Sequence, residues 1–118
     1  MLTAMLLAAA ITAEPQPPRV QVWFVATDWC VHCKPMRTQF EKSRAKGWKI
    51  GHSAGNQVRM LDGQRDAMLL EAHKITGYPT TILLVDGLPV ERWEGQVPAS
   101  VVLGAYNRES ERLNGGNP

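Results

Sequence analysis

Apolar residues follow two different spacings along this chain. Val20 to Ala26 reads VQVWFVA, a nearly unbroken run of β-branched and aromatic residues that predicts a central strand covered on both faces. From about Val31 to Arg44 the spacing becomes helical, with Met36 and Phe40 four residues apart. The folded part is therefore expected to begin with a strand that leads into a helix.

Strand and helix patterns alternate again further along the chain. Val58 to Leu61 predicts a second short strand, and Arg65 to Lys74 predicts a helix. Its apolar residues at helical spacing are Met68, Leu69, Ala72 and Ile75. The connection from Lys46 to Gly55 contains three glycines, and its Trp48 and Ile50 are expected to cover the core beside the first strand.

The C-terminal third predicts a hairpin and a last helix. Thr80 to Val85 has the pattern of a buried strand, Asp86-Gly87 is a hairpin turn signal, and Val90 to Trp93 forms the returning strand. Pro98 suits the first turn of a helix. The stripe along that helix is Val102, Ala105, Tyr106, Glu109 and Leu113. The order βαβαββα predicts an α/β fold with a mixed four-stranded sheet flanked by helices.

The N-terminal residues have the composition of a leader. Leu2 to Ala13 is apolar and uncharged, shorter than the roughly 20 residues that span a bilayer, and has small residues before a cut after Ala13. Residues 1–13 are therefore predicted to be a signal peptide of an exported, periplasmic or extracellular protein. The alternatives are an element folded onto the domain, which would leave the protein cytoplasmic, or an uncleaved anchor.

The remaining boundaries follow from composition and length. Residues 14–19 form a Pro-rich spacer, 20–113 the folded domain and 114–118 a flexible tail. With 118 residues and 44% hydrophobic residues, the chain has the size and core of a single domain. Thirteen basic against eleven acidic side chains give +2, too small an excess to indicate nucleic acid or an anionic membrane as a partner. A monomer without stable membrane insertion is expected.

The two cysteines carry the candidate chemistry. Cys30 and Cys33 lie where the first strand gives way to the helix. Unpaired amides at a helix N-terminus stabilise a thiolate, so Cys30 is the expected nucleophile, and Cys33, one turn further in, is placed to resolve a mixed disulfide. His32 between them favours the reduced form further and so makes the disulfide more oxidising.

The cysteines have two other conceivable uses. A permanent structural disulfide is possible, but across two intervening residues it would constrain the unfolded chain little. A metal site would need more ligands, and a second Cys-x-x-Cys is missing, while His52 and His73 lie in separate segments without ligand spacing. No metal and no organic cofactor are therefore expected besides the redox-active disulfide.

Two motifs together resemble the thioredoxin superfamily. They are WCVHCK, from Trp29 to Lys34, and GYPT, from Gly77 to Thr80, and the resemblance extends from Val20 to about Leu113. It implies a minimal thioredoxin-like fold. It also implies that Pro79 is cis and packs on the disulfide, that the backbone of Tyr78 pairs with an extended substrate, and that Gly95 and Trp29 border the same groove.

The chain departs from thioredoxins at two places. Val31-His32 replaces the usual Gly-Pro, and this histidine together with GYPT is similar to the catalytic domains of protein disulfide isomerases. Phe24 stands where thioredoxins have a buried aspartate. The resemblance implies a thiol–disulfide oxidoreductase acting on protein substrates with an unknown redox partner, its direction left open. The alternatives are a reductase or electron relay for specific periplasmic partners and a non-catalytic peptide-binding module.

Overall fold

The computed structural model describes residues 16–115. The strands are β1 (Val20–Ala26), β2 (Ile50–Gly51), β3 (Val58–Asp62), β4 (Thr80–Val85) and β5 (Leu88–Glu94). The helices are α1 (Cys33–Lys42), which continues into a 3-10 turn (Ser43–Lys46), α2 (Ala67–Ala72) and α3 (Ala99–Leu113). The strands form one mixed sheet in the order β2-β3-β1-β4-β5. The fold is the α/β thioredoxin-like arrangement that the sequence predicts.

β1 is the central strand, as its composition predicts. It pairs in parallel with β3 and antiparallel with β4, and all seven of its residues are buried. Successive side chains point to opposite faces of the sheet. Phe24 belongs to the cluster formed with α1 and α3, whereas Trp23 and Val25 belong to the cluster that contains Leu70 of α2. The strand that leads to the cysteines is thus fixed from both sides.

The sheet has five strands where the sequence predicts four. The additional strand, β2, is only two residues long and pairs in parallel with Val58 and Arg59 at the edge of the sheet. A two-residue strand that includes a glycine has no periodicity by which a sequence pattern could detect it. Ile50 is 7% exposed, so it covers the core as expected.

α2 is shorter than predicted and turns a different face inward. Met68 is 87% exposed, Ala72 is exposed and Leu70 is buried, so the predicted stripe is wrong for Met68 and Ala72. The cause lies in the preceding turn, where the Asp62 carboxylate accepts the backbone N–H groups of Arg65 and Gln64 at 3.0 and 2.8 Å. These two hydrogen bonds also lower the pKa of Asp62. The turn delays the start of the helix to Ala67.

The predicted hairpin turn is confirmed. Asp86 and Gly87 have φ angles of 50° and 82°, a left-handed pair that matches the twist of the strands it joins. Arg19 donates to both carboxylate oxygens of Asp86, at 2.8 and 2.9 Å. This bidentate contact lowers the pKa of Asp86, chiefly through the side-chain hydrogen bond.

We expect Asp86→Asn to remove a pH-dependent part of the stability and to keep the turn, because asparagine tolerates positive φ. A carboxyl group whose pKa is lowered by folding stabilises the protein above its unfolded pKa, and this contribution is lost as the pH falls through the folded pKa. The Tm of the variant should therefore lie slightly below that of the wild type at pH 7 and converge with it below about pH 4. A Tm difference that is constant from pH 2 to 7 would contradict the expectation.

The predictions on the ends of the chain fall largely beyond this range. The predicted leader, residues 1–13, lies outside the described residues, as do residues 116–118 of the predicted tail. Within residues 16–115, no helix combines the length and apolar character needed to cross a membrane.

Candidate active site

The two cysteines lie just beyond the carboxyl end of β1. The N–H of Cys30 donates to the carbonyl of Thr27 at 3.3 Å, and the N–H of Cys33 donates to the carbonyl of Cys30 at 3.2 Å. This turn leads the central strand directly into α1, which begins at Cys33 rather than at the predicted Val31. The two sulfurs form a disulfide, with the Cα atoms 5.3 Å apart.

The two sulfur positions differ in access to solvent. Cys33 is fully buried, whereas Cys30 keeps a small exposed fraction of 6%. The neighbours of Cys30 are among the most exposed apolar residues, Trp29 at 68% and Val31 at 72%. Cys30 is therefore the outer member of the pair and Cys33 the inner one.

His32 occupies the N-cap position of α1 and is exposed. Its φ of −75° is right-handed, and its side chain makes no capping hydrogen bond. His32 thus lies at the start of the helix, between the two cysteines of the disulfide. Its predicted effect on the redox couple stays a prediction.

The residues predicted to bind substrate contact each other in two pairs, Trp29 with Tyr78 and Pro79 with Gly95. The rings of Trp29 and Tyr78 form an edge-to-face contact with centroids 5.8 Å apart. The Tyr78–Pro79 peptide bond is cis, and the carbonyl of Pro79 accepts the N–H of Gly95 at 2.9 Å. Tyr78 packs against the core cluster that contains both cysteines. These contacts bring the cis-proline loop, the end of β5 and Trp29 to the same side of the molecule.

The position of the thioredoxin aspartate is part of the apolar core in this chain. Phe24 is 1% exposed, and its ring lies 5.2 Å from that of Phe40. A cavity of about 330 Å³ adjoins it, with Phe24 and Met60 among its apolar lining residues. Its charged lining residues are Asp28, Arg37, Asp62 and Arg65. Ionisable groups therefore stand around this cavity, but none occupies the Phe24 position itself.

The other two histidines contact residues of β3 and β1. His52 lies with Nδ1 3.3 Å from the carbonyl of Met60, and the ring of His73 stands edge-on to Trp23 with centroids 4.7 Å apart. Among residues 16–115, no group of three or more His, Cys, Asp and Glu side chains is arranged to hold a metal ion.

Gly63 lies against the hydroxyl end of Tyr78 and against the side chain of Thr27, and sequence reasoning does not single out Gly63 or Thr27. A Cβ added at Gly63 would stand 2.6 Å from the Tyr78 oxygen and 2.6 Å from Cγ2 of Thr27. The available signal is a glycine directly after a strand, at the sheet edge where the cysteines also lie. A pattern alone does not reveal the aromatic ring above it.

Comparison with known proteins assigns the family. The thioredoxin family model matches residues 9–106. The chain therefore belongs to the thioredoxin family, and Cys30 and Cys33 form a disulfide of the Cys-x-x-Cys type. Residues 9–13 of the predicted leader fall inside this match, and the removal of residues 1–13 stays a prediction.

Individual relatives agree with this assignment. Over 70 residues the chain is 27% identical to "Protein disulfide isomerase-like 1-4" of Oryza sativa subsp. japonica, a stretch that covers 59% of this chain and 12% of that protein. This chain thus corresponds to a small part of that relative's length.

Solved structures show the same fold. A thioredoxin of Malassezia sympodialis superimposes with a TM-score of 0.61 at 22% identity, covering 80% of this chain and 78% of that one. Thioredoxin 1 of Thermosipho africanus gives a TM-score of 0.62 at 17% identity, covering 80% of this chain and 98% of that one.

Proposed function

We propose that this protein exchanges disulfides with exported protein substrates through Cys30 and Cys33. The observation that carries the proposal is the disulfide at the start of α1, whose outer sulfur lies beside the exposed side chains of Trp29 and Val31. A disulfide used only for stability would not need an apolar surface around one of its sulfurs.

In the oxidising direction, a substrate thiolate attacks the sulfur of Cys30. The Cys30–Cys33 bond breaks, and Cys33 leaves as a thiolate that takes up a proton. A second substrate thiolate then attacks the substrate sulfur of the mixed disulfide and releases Cys30. Two electrons pass from the substrate dithiol to the cysteine pair. Reduction runs through the same steps in reverse, with Cys30 as nucleophile and Cys33 as the resolving thiol.

The groove beside the sulfurs binds the substrate chain. The exposed indole of Trp29 forms an apolar wall, the backbone of Tyr78 pairs with an extended peptide next to the fully buried Pro79, and Gly95 borders the far side. The hydrogen bond from Gly95 to Pro79 and the contact between Trp29 and Tyr78 support this assignment, because they hold the four residues together.

The redox equilibrium of Cys30 and Cys33 against defined glutathione ratios tests the direction of exchange. The amides at the start of α1 and the side chain of His32 stabilise the reduced form, so we expect an oxidant or isomerase with a potential between about −200 and −120 mV. A value of about −270 mV or lower would instead assign the protein as a reductase or electron relay for specific periplasmic partners.

His32→Pro is expected to make the couple more reducing, by a few tens of millivolts. Proline matches the φ of −75° at this helix N-cap and removes the imidazole, and circular dichroism checks that the helix content is kept. Mass analysis after alkylation of glutathione-equilibrated protein measures the shift. A potential equal to that of the wild type would show that His32 does not tune the disulfide.

A peptide-binding module without catalysis is the second candidate. The exposed apolar surface of Trp29 and Val31 would serve such a role equally well. Binding that survives intact in Cys30→Ser, with no exchange activity in the wild type, would favour this candidate.

Export and a monomeric state complete the proposal. Processing after Ala13 would leave a mature chain that begins at Glu14, and intact-mass measurement of the protein recovered from the exported fraction tests this. Size-exclusion chromatography of the mature chain, expected at the mass of one copy, tests the oligomeric state.

A further inference from the structure

The Tyr78 side chain can occupy its observed position because residue 63 is a glycine. A Cβ at this position would lie 2.6 Å from Oη and 2.8 Å from Cζ of Tyr78, and real Cβ atoms essentially never approach another heavy atom closer than 3.0 Å. An alanine would therefore have to displace the ring.

The backbone around Gly63 is fixed, so it is the ring that must give way. The N–H of Gly63 donates to the carbonyl of Ala26 at 3.0 Å, and the residue before it, Asp62, is paired with Ala26 in the parallel ladder. Gly63 is thus anchored to the end of the central strand. Tyr78, in contrast, is a half-buried side chain in a loop, and rotation about its own χ angles can carry its ring away.

Residue 63 must be a glycine because a side chain has no space there, and not because its backbone needs angles that only glycine adopts. Its φ lies outside the left-handed range, so an alanine could adopt the same backbone angles. Glycine loses more conformational entropy on folding than other residues, and at Gly63 no positive φ offsets that loss. Two close approaches require a glycine here, that of the Tyr78 phenol and that of Thr27 Cγ2, each with an atom 2.6 Å from the position of a Cβ.

The position of the ring matters because Tyr78 also contacts the residue next to Cys30. Tyr78 meets the exposed indole of Trp29 edge-to-face, and Trp29 directly precedes Cys30. Gly63, Tyr78 and Trp29 therefore form a continuous chain of contacts from the end of β3 to the surface beside the outer sulfur.

We propose that Gly63 is a positioning residue for polypeptide substrates. Because Gly63 has no side chain, the Tyr78 ring can occupy its observed position. In that position the ring holds Trp29 at the substrate-binding surface. Gly63 thereby sets the affinity for a protein substrate and leaves the sulfur chemistry unchanged. The inference rests on the proposed function, because it assigns the same surface to substrate binding.

Gly63→Ala tests the proposal with two substrates of different size. We expect the KM for a polypeptide disulfide, insulin, to rise about two- to tenfold, since an aromatic edge contact is lost. Exchange with oxidised glutathione, which is too small to need the Trp29 surface, should stay within about twofold. Gly104→Ala is the matched control, because a Cβ at Gly104 meets nothing within 4 Å. It should leave both reactions unchanged.

A second background isolates the contact with the ring. The new methyl would also collide with Cγ2 of Thr27, at 2.6 Å, and Thr27→Ser removes that atom. In Thr27→Ser the added Gly63→Ala should still raise the insulin KM. In Tyr78→Ala it should have no further effect, because the ring that it displaces is gone. An equal rise in KM with and without the Tyr78 ring would overturn the proposal, as would an unchanged KM in folded Gly63→Ala.

The indole N–H resonance of Trp29 separates failure of this inference from failure of the proposed function. A wild-type protein inactive towards both insulin and glutathione would refute the function, and with it the substrate role of Gly63. The resonance would still shift in Gly63→Ala if Gly63 sets the position of the Tyr78 ring. An unshifted resonance would refute that effect itself.

Discussion

Replacement of Cys30 by serine is expected to abolish thiol–disulfide exchange, with a loss of about a thousandfold or more in insulin turnover. The hydroxyl of serine cannot form the mixed disulfide, and the remaining thiol, Cys33, is fully buried. Stability should change little, because the disulfide closes a loop across only two intervening residues. Urea denaturation and circular dichroism check that the variant is folded.

Cys33→Ser is the matched variant for this experiment. It keeps the accessible sulfur and removes the resolving one, so a mixed disulfide between Cys30 and the substrate should accumulate and be visible by mass spectrometry. Substantial exchange in Cys30→Ser, or a mixed disulfide that forms through Cys33 in that variant, would reverse the roles assigned to the two sulfurs.

Phe24→Asp, which introduces the residue type that thioredoxins carry at this position, is expected to lower the free energy of unfolding by at least about 3 kcal/mol at pH 7. The substitution removes a ring that is 1% exposed and packed on Phe40, and it buries a carboxyl group in its place. Burial raises the pKa of such a group. The loss of stability relative to the wild type should therefore be smallest below about pH 4 and grow as the pH rises through the raised folded pKa.

Phe24→Leu separates the lost packing from the buried charge. It keeps an apolar side chain and should cost much less, about 1 kcal/mol, with no added pH dependence. Urea denaturation at pH 4 and pH 7 measures both variants. If Phe24→Asp proved as stable as Phe24→Leu at pH 7, the neighbouring cavity would be solvating the carboxylate, and the site would tolerate the acid of its relatives.

Elements governed by local rules can be predicted from the sequence. β1 is seven buried residues long, and the Asp86-Gly87 turn depends on two local φ angles, so local rules suffice for both. β2 has two residues, and its existence depends on pairing with β3, which no local pattern encodes. The start of α2 escapes prediction because the hydrogen bonds of the Asp62 turn, rather than apolar spacing, decide where the helix begins.

The candidate site divides in the same way. Cys30 and Cys33 are recognisable from their spacing and from their place between a strand and a helix. The contact between Gly63 and Tyr78, in contrast, joins separate segments of the chain. Gly63 follows β3, and Tyr78 precedes β4. Only the tertiary fold shows that Gly63 touches the ring, because a glycine after a strand is ordinarily the mark of a turn.

The central position of β1 also determines when its sheet partners become available during synthesis of the chain. Both of its neighbours come later in the chain, since Val22 pairs with Val58 on one side and Val20 pairs with Val85 on the other. As the polypeptide emerges from its N-terminal end, β1 has no sheet partner until β3 has been made, and it lacks the second one until β4 ends at Val85. The cysteines are the exception to this delay, because two intervening residues let them meet at once, before any long-range pairing exists.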